Sequence, residues 1–184
     1  EGTLTHPGGC VIGQLPIDLF IEGFKKLGAQ MIDSGSEYTL RAKQLKGAKI
    51  ILPKISVTVT ENLMMAATLA EGITEIKNAA MEPEIVALAE YLNQQGAKIS
   101  GAGTPTIRIE GVNELSAGEF TIIPDRIEAG TLTILGLITN SELKIANCNP
   151  EHLENLLYTL EKAGAKLEIG SDYIITFPSK LNGI

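Results

Sequence analysis

Apolar residues recur at spacings of three and four in three stretches of the chain. Residues 16–27 carry Ile17, Phe20, Ile21 and Phe24; 83–95 carry Ile85, Leu88, Ala89 and Leu92; 150–163 carry Leu153, Leu156, Leu157 and Leu160. This spacing predicts three amphipathic helices with one buried face each. Each opens near a proline, which suits a first helical turn, and closes at a glycine, which suits the position after a helix. The closing glycines Gly28, Gly96 and Gly164 lie 68 residues apart. Two short strand-like runs follow each glycine: 30–32 and 38–41, 98–99 and 106–109, 166–169 and 173–177. Turn residues separate the runs of each pair, which predicts three hairpins. A further strand is predicted at 49–52, then a helix at 60–71 closed by Gly72 and a strand at 74–77. Their counterparts are a helix at 127–139 and a strand at 142–146.

The repeating unit is therefore helix, strand, strand, loop, helix, strand. Self-similarity at a fixed period means copies that share a core. The period is longer than in common solenoids, so the copies are expected to pack around an axis, with the helices inside a ring of sheets. The fold class is α/β (α+β).

Composition narrows the function. The 184 residues fit one large domain or two small ones, and 44% hydrophobic residues supply a core that is aliphatic, since aromatics are 4% and tryptophan is absent. The net charge of −7 argues against nucleic acid, which needs clustered Lys and Arg. It leaves room for a small anionic ligand in a local pocket. No apolar run is long enough to span a membrane and no secretory segment opens the chain. Cys10 and Cys148 are too few and too far apart for a disulfide scaffold, so a reducing, cytoplasmic setting is expected. With two histidines and no ligand spacing, no metal site is expected, and the glycines form neither a dinucleotide fingerprint nor a P-loop. The chain begins with Glu1 and enters a loop motif almost at once, as a piece of a longer protein would.

That motif, Pro7-Gly8-Gly9-Cys10-Val11-Ile12-Gly13, sets a thiol among three glycines. Glycines let a ligand approach the backbone closely, and successive free N–H groups can cradle an anion. A thiol there can act as a nucleophile or proton donor. Cys148, before a predicted helix, reads as a small buried residue. His6 reads as a loop histidine beside the thiol, and His152 as incidental.

Together with Pro16-Ile17-Asp18-Leu19, Lys46-Gly47-Ala48, Lys54-Ile55-Ser56-Val57-Thr58, Thr60-Glu61-Asn62-Leu63-Met64-Met65-Ala66-Ala67, Asn78-Ala79-Ala80-Met81-Glu82-Pro83-Glu84 and Pro124-Asp125-Arg126-Ile127-Glu128-Ala129-Gly130, the cysteine loop resembles the UDP-N-acetylglucosamine enolpyruvyl transferase family. The segments follow family order along nearly the whole chain. The resemblance implies an inside-out α/β barrel of two domains, each with three copies of the repeat. Residues 1–123 would be two repeats of one domain and carry the cysteine loop; 124–184 would be the first repeat of the other. The family's N-terminal Lys-Asn segment and its downstream Asp and Arg residues have no counterpart here, so the chain would hold an incomplete active site.

The implied reaction moves enolpyruvyl from phosphoenolpyruvate to the 3′-hydroxyl of UDP-N-acetylglucosamine, a step of peptidoglycan precursor synthesis, with no cofactor. The implied partners are these two substrates and the remainder of the enzyme. By resemblance Cys10 is the proton donor, the residue that forms an adduct with phosphoenolpyruvate, and the thiol alkylated by fosfomycin; Gly8 and Gly9 would let its loop act as a lid. Leu15, Pro16, Ile17, Asp18 and Leu19 match the uridine-binding stretch; Lys54, Ile55, Ser56 and Val57 match the stretch that meets the nucleotide and its diphosphate. Read from the residues alone, Asp18 is a first-turn helix acid and Lys54 a surface lysine at a strand end. Glu82 and Asp125 match acidic positions near the family's cleft, and equally read as helix caps or ion-pair partners. The family carries arginine where this chain has Leu15, and histidine is common where it has Phe20. Leucine cannot supply arginine's charged planar fork. A second reading is therefore a non-catalytic module of the same fold that binds a nucleotide-sugar or a partner. The related shikimate-pathway transferase family is a third, weaker one, because it lacks the Pro-Gly-Gly-Cys loop.

Overall fold

The computed structural model describes residues 2–5, 17–35 and 37–183, in two compact units that divide between Thr121 and Ile122. His6, Gly8, Gly9, Cys10, Leu15 and Pro16 lie outside the described residues.

The first unit holds two sheets. In one, strand β3 (Glu37–Arg41) lies between β1 (Gly2–Thr5) and β2 (Gln30–Asp33) and is antiparallel to both. Helix α1 (Asp18–Lys26) joins β1 to β2. The other sheet has the order β4-β5-β7-β6, from β4 (Lys49–Ile51), β5 (Ile73–Lys77), β6 (Lys98–Ser100) and β7 (Thr106–Glu110). Helix α2 (Val57–Thr68) connects the parallel pair β4–β5, and α3 (Pro83–Gln94) connects β5 to β6. α2 packs on both α1 and α3. Between these helices and the four-stranded sheet lies an aliphatic core that includes Leu27, Ile50, Val59, Leu63, Met64, Ile76, Ile85, Ile107 and Ile109. The second unit places α4 (Arg126–Ile138), β8 (Leu143–Ala146), a 3₁₀ turn (Pro150–Leu153), α5 (Glu154–Lys162), β9 (Lys166–Ile169) and β10 (Tyr173–Phe177) around Ile145, Cys148, Leu153, Leu157 and Ile174, with sheet order β8-β10-β9.

The repeat is thus visible three times as strand, connection, helix, hairpin, with the last strand in the middle of each sheet. Leu4 faces Tyr38 in register, Ile76 faces Ile107, and Ile145 faces Ile174. Gly28, Gly96 and Gly164 have φ of 90°, 101° and 96°, the left-handed region in which a Cβ is strained.

The structure moves several predicted boundaries. β1 has no counterpart in the sequence reading. Its four residues are half polar, and pairing with β3 makes them a strand. The strand expected at 49–52 opens the second sheet by parallel pairing with β5. The helix expected at 60–71 starts and stops earlier. Ser56 caps its start, and Glu71 pairs its backbone with Leu45 and Gly47 in place of a further helical turn. The last helix begins with a 3₁₀ turn because the His152 N–H reaches back three residues to the Asn149 carbonyl.

Candidate functional site

Strands β4 and β5 run side by side and end together. The chain leaves β4 through Leu52–Ser56 into α2, and leaves β5 through 78–82 into α3. These two connections are tied to each other. The Leu52 N–H donates to the Lys77 carbonyl (3.0 Å), and the Leu52 carbonyl accepts from Asn78 Nδ2 (2.9 Å). Ser56 is extended, with φ −150°, and its Oγ accepts the Val59 N–H as an N-cap. The Ser56 carbonyl accepts both the Thr60 N–H (3.0 Å) and Thr60 Oγ1 (2.8 Å). Thr60 Oγ1 in turn accepts the Ala80 N–H (3.1 Å).

The segment held this way presents Lys54 to solvent, with no carboxylate paired to it among the described residues. Ser56 uses an acceptor lone pair in the cap and keeps its O–H as a donor. The first-turn N–H groups of α2 point the same way as the positive end of the helix dipole. An ammonium, a hydroxyl and a helix N-terminus are the kinds of group that pair with a phosphate-type anion. Ile55 is half exposed beside them, while Val57 and Leu19 pack on the core of the first unit.

Asp18 is the exposed first residue of α1 and Ile17 its N-cap residue, without a side-chain cap bond. The Glu82 carboxylate accepts the Met81 N–H (2.9 Å) at the start of α3. Asp125 caps α4, accepting from the N–H groups of Ile127 (2.7 Å) and Glu128 (3.1 Å). Cys148 is buried as expected; its Sγ lies 3.7 Å from the Ile145 carbonyl, and burial pushes its thiol up. His152 Nε2 lies 3.0 Å from Asn149 Nδ2. Cys10 lies in sequence between β1 and α1, outside the described residues.

The sequence reading quoted Asn78, Thr60 and Glu61 within matching segments and gave none of them a role. The signal for Asn78 was its recurrence as Asn147 in the next copy; both are left-handed, with φ of 58° and 54°. Burial, and secondarily the charge of Glu84, raise the pKa of Glu61, which lies one turn into α2.

Comparison with known proteins adds the following. The sequence profile of EPSP synthase (3-phosphoshikimate 1-carboxyvinyltransferase) matches residues 1–184. The chain is 49% identical over 178 residues to a UDP-N-acetylglucosamine 1-carboxyvinyltransferase of Bdellovibrio bacteriovorus, covering 97% of this chain and 43% of that protein. It is 49% identical over 174 residues to UDP-N-acetylglucosamine 1-carboxyvinyltransferase 1 of Carboxydothermus hydrogenoformans, covering 95% and 41%. The chain thus spans less than half the length of these relatives. Among solved structures, the enolpyruvyl transferase NikO from Streptomyces tendae matches with a TM-score of 0.79 at 20% identity, over 89% of this chain and 42% of that one. An EPSP synthase from Acinetobacter baumannii matches with a TM-score of 0.70 at 20% identity, over 99% and 44%. These structural likenesses establish a mixed α/β fold of the enolpyruvyl transferase type.

Proposed function

Because the chain belongs to the EPSP synthase family, whose profile covers its full length, we propose that the complete protein transfers the enolpyruvyl group of phosphoenolpyruvate to the 3′-hydroxyl of UDP-N-acetylglucosamine. The observation that carries this reading is the near-half identity, along 95–97% of the chain, to two proteins named for that acceptor. The Pro-Gly-Gly-Cys loop supports it against the shikimate acceptor.

In this reaction the sugar hydroxyl gives up its proton to a base as its oxygen bonds to C2 of phosphoenolpyruvate, while C3 takes a proton. The tetrahedral adduct then loses phosphate from C2 and a proton from C3, which restores the double bond. Cys10 is proposed as the proton donor and as the thiol that phosphoenolpyruvate or fosfomycin captures. A positioned acid is worth on the order of 10²–10⁴-fold. Gly8 and Gly9 would let its loop move, and Leu15, Pro16, Ile17, Asp18 and Leu19 would line the uridine. Lys54, Ile55, Ser56 and Val57 would meet the nucleotide and its diphosphate, with Lys54 supplying charge and Ser56 a donor. Glu82 and Asp125 would act in support. Two repeats in residues 1–123 and one in 124–184 would belong to a two-domain inside-out barrel, completed by the rest of the polypeptide and working in the cytoplasm on peptidoglycan precursors.

The test is phosphate release from phosphoenolpyruvate by the full-length protein, with UDP-N-acetylglucosamine or shikimate 3-phosphate as acceptor. Release with the nucleotide sugar alone is expected, and release only with shikimate 3-phosphate would refute the reading. Leu15 favours the second reading, a binding module without turnover. Leu15→Arg in the full-length protein separates the two: a charge-assisted contact of about 1.5–3 kcal/mol corresponds to roughly one to two decades in rate. A gain of that size marks a weakened enzyme, and no gain in a protein that binds without turnover marks the module.

A further inference from the structure

We propose that Asn78 is a positioning residue for the anion-binding segment Lys54–Val57, so that the turn from Asn78 to Ala80 works as a clasp on both ends of that segment. The proposal rests on the reading of Lys54 and Ser56 as nucleotide-sugar ligands. At the upstream end, Asn78 Nδ2 holds the Leu52 carbonyl at 2.9 Å. The Leu52 N–H is already taken by Lys77, and Pro53 has no N–H to offer. Among the described residues, the Asn78 bond is thus the last tie before the chain turns out to Lys54. At the downstream end the Ala80 N–H holds Thr60 Oγ1, which itself holds the Ser56 carbonyl. Ala79 and Ala80 are 1% and 0% exposed, so the clasp is anchored in the core.

The left-handed backbone of Asn78 aims its side chain back at the strand end, a conformation that asparagine accepts more readily than most residues. The repeat supplies an internal control. Asn147 has the same backbone conformation at the same point of the next copy, yet among the described residues no side-chain hydrogen bond ties it to a strand end. The shared feature is the turn; the bond to a neighbouring strand end belongs to Asn78.

The experiment compares Asn78→Gly and Asn147→Gly in the full-length protein. Glycine keeps the left-handed backbone without strain, so each variant removes only the side chain. Wild-type binding of UDP-N-acetylglucosamine, measured by calorimetry, tests the underlying reading first. If wild type binds none, that reading falls and the inference falls with it. Loss of one neutral hydrogen bond predicts that Asn78→Gly raises Kd and KM for the nucleotide sugar about threefold to tenfold, with kcat held within about twofold. Asn147→Gly should leave all three unchanged. Trypsin should cut after Lys54 faster in Asn78→Gly than in wild type, a readout independent of turnover. Equal effects of the two substitutions, a loss confined to kcat, or unchanged cleavage after Lys54 would overturn the inference.

Discussion

Burial and a neighbouring carboxylate act on Glu61 in the same direction, both favouring its protonated form. The folded-state value lies above the ordinary one, so the contribution to stability is complete below the unfolded value of about 4.3 and is lost as pH rises through the folded value. Glu61→Gln cannot ionise. It should raise the melting temperature near pH 7 and give a vanishing gain near pH 4. An equal gain at both pH values would show that the carboxyl titrates as in the unfolded chain. The thiols make a second contrast at this scale. Cys148 is 5% exposed and its thiol is pushed up by burial, so it is a poor nucleophile at neutral pH. Fosfomycin treatment of the full-length protein followed by peptide mapping should find the adduct on Cys10 and leave Cys148 free. An adduct on Cys148 alone would remove Cys10 from the mechanism. The sequence already marked Cys148 as buried, because a lone cysteine before an apolar helix has few other places to go. Glu61 could not be read that way, since a carboxylate in Thr60-Glu61-Asn62 looks like any helix-surface acid until α3 brings Glu84 toward it.

Helices and hairpins were legible because one apolar face must be buried at a period the sequence displays, and because a left-handed glycine follows α1, α3 and α5. What was not legible is set by partners distant in the chain: β1 needs β3, and the end of α2 needs Leu45 and Gly47. The packing of α1 on α2 belongs to the same class. Gly23 is buried on α1, and a Cβ there would lie 2.6 Å from Leu63 Cδ2, closer than real contacts allow. Gly23→Ala should therefore destabilise the protein by about 1–3 kcal/mol. Leu63→Ala alone should cost about 2–5 kcal/mol, since Leu63 is fully buried. In the Leu63→Ala background the penalty of Gly23→Ala should disappear, because the clash has no partner. Denaturant unfolding of the four proteins checks this, and simple additivity of the two costs would show that α1 does not rest on Leu63. At the other helix start, Asp125→Ala should cost about 1 kcal/mol through its two lost cap bonds.

The repeat links single elements to the whole polypeptide. Ser56 caps α2 and Asp125 caps α4, so Leu132 of α4 holds the place that Leu63 holds in α2. Leu63 is 0% exposed because α1 lies over it; Leu132 is 37% exposed, beside Ile134, Leu135 and Ile138 at 41%, 44% and 70%. A contiguous apolar stripe of this kind marks a surface that another element covers. The relatives are more than twice the length of this chain, which leaves room for further elements in them. If a helix of another copy rests on α4 as α1 rests on α2, Leu132→Ala in the full-length protein should behave as a core truncation, costing about 2–5 kcal/mol. In the 184-residue chain the same substitution should stay near the surface range of about 0.5 kcal/mol. The difference between the two proteins, measured by denaturant unfolding of each, is the quantity that decides. A small effect in both would leave α4 outside any shared core. The proposed closed layer of helices, and with it the barrel, would then have to be abandoned even if the chemistry at Cys10 survived.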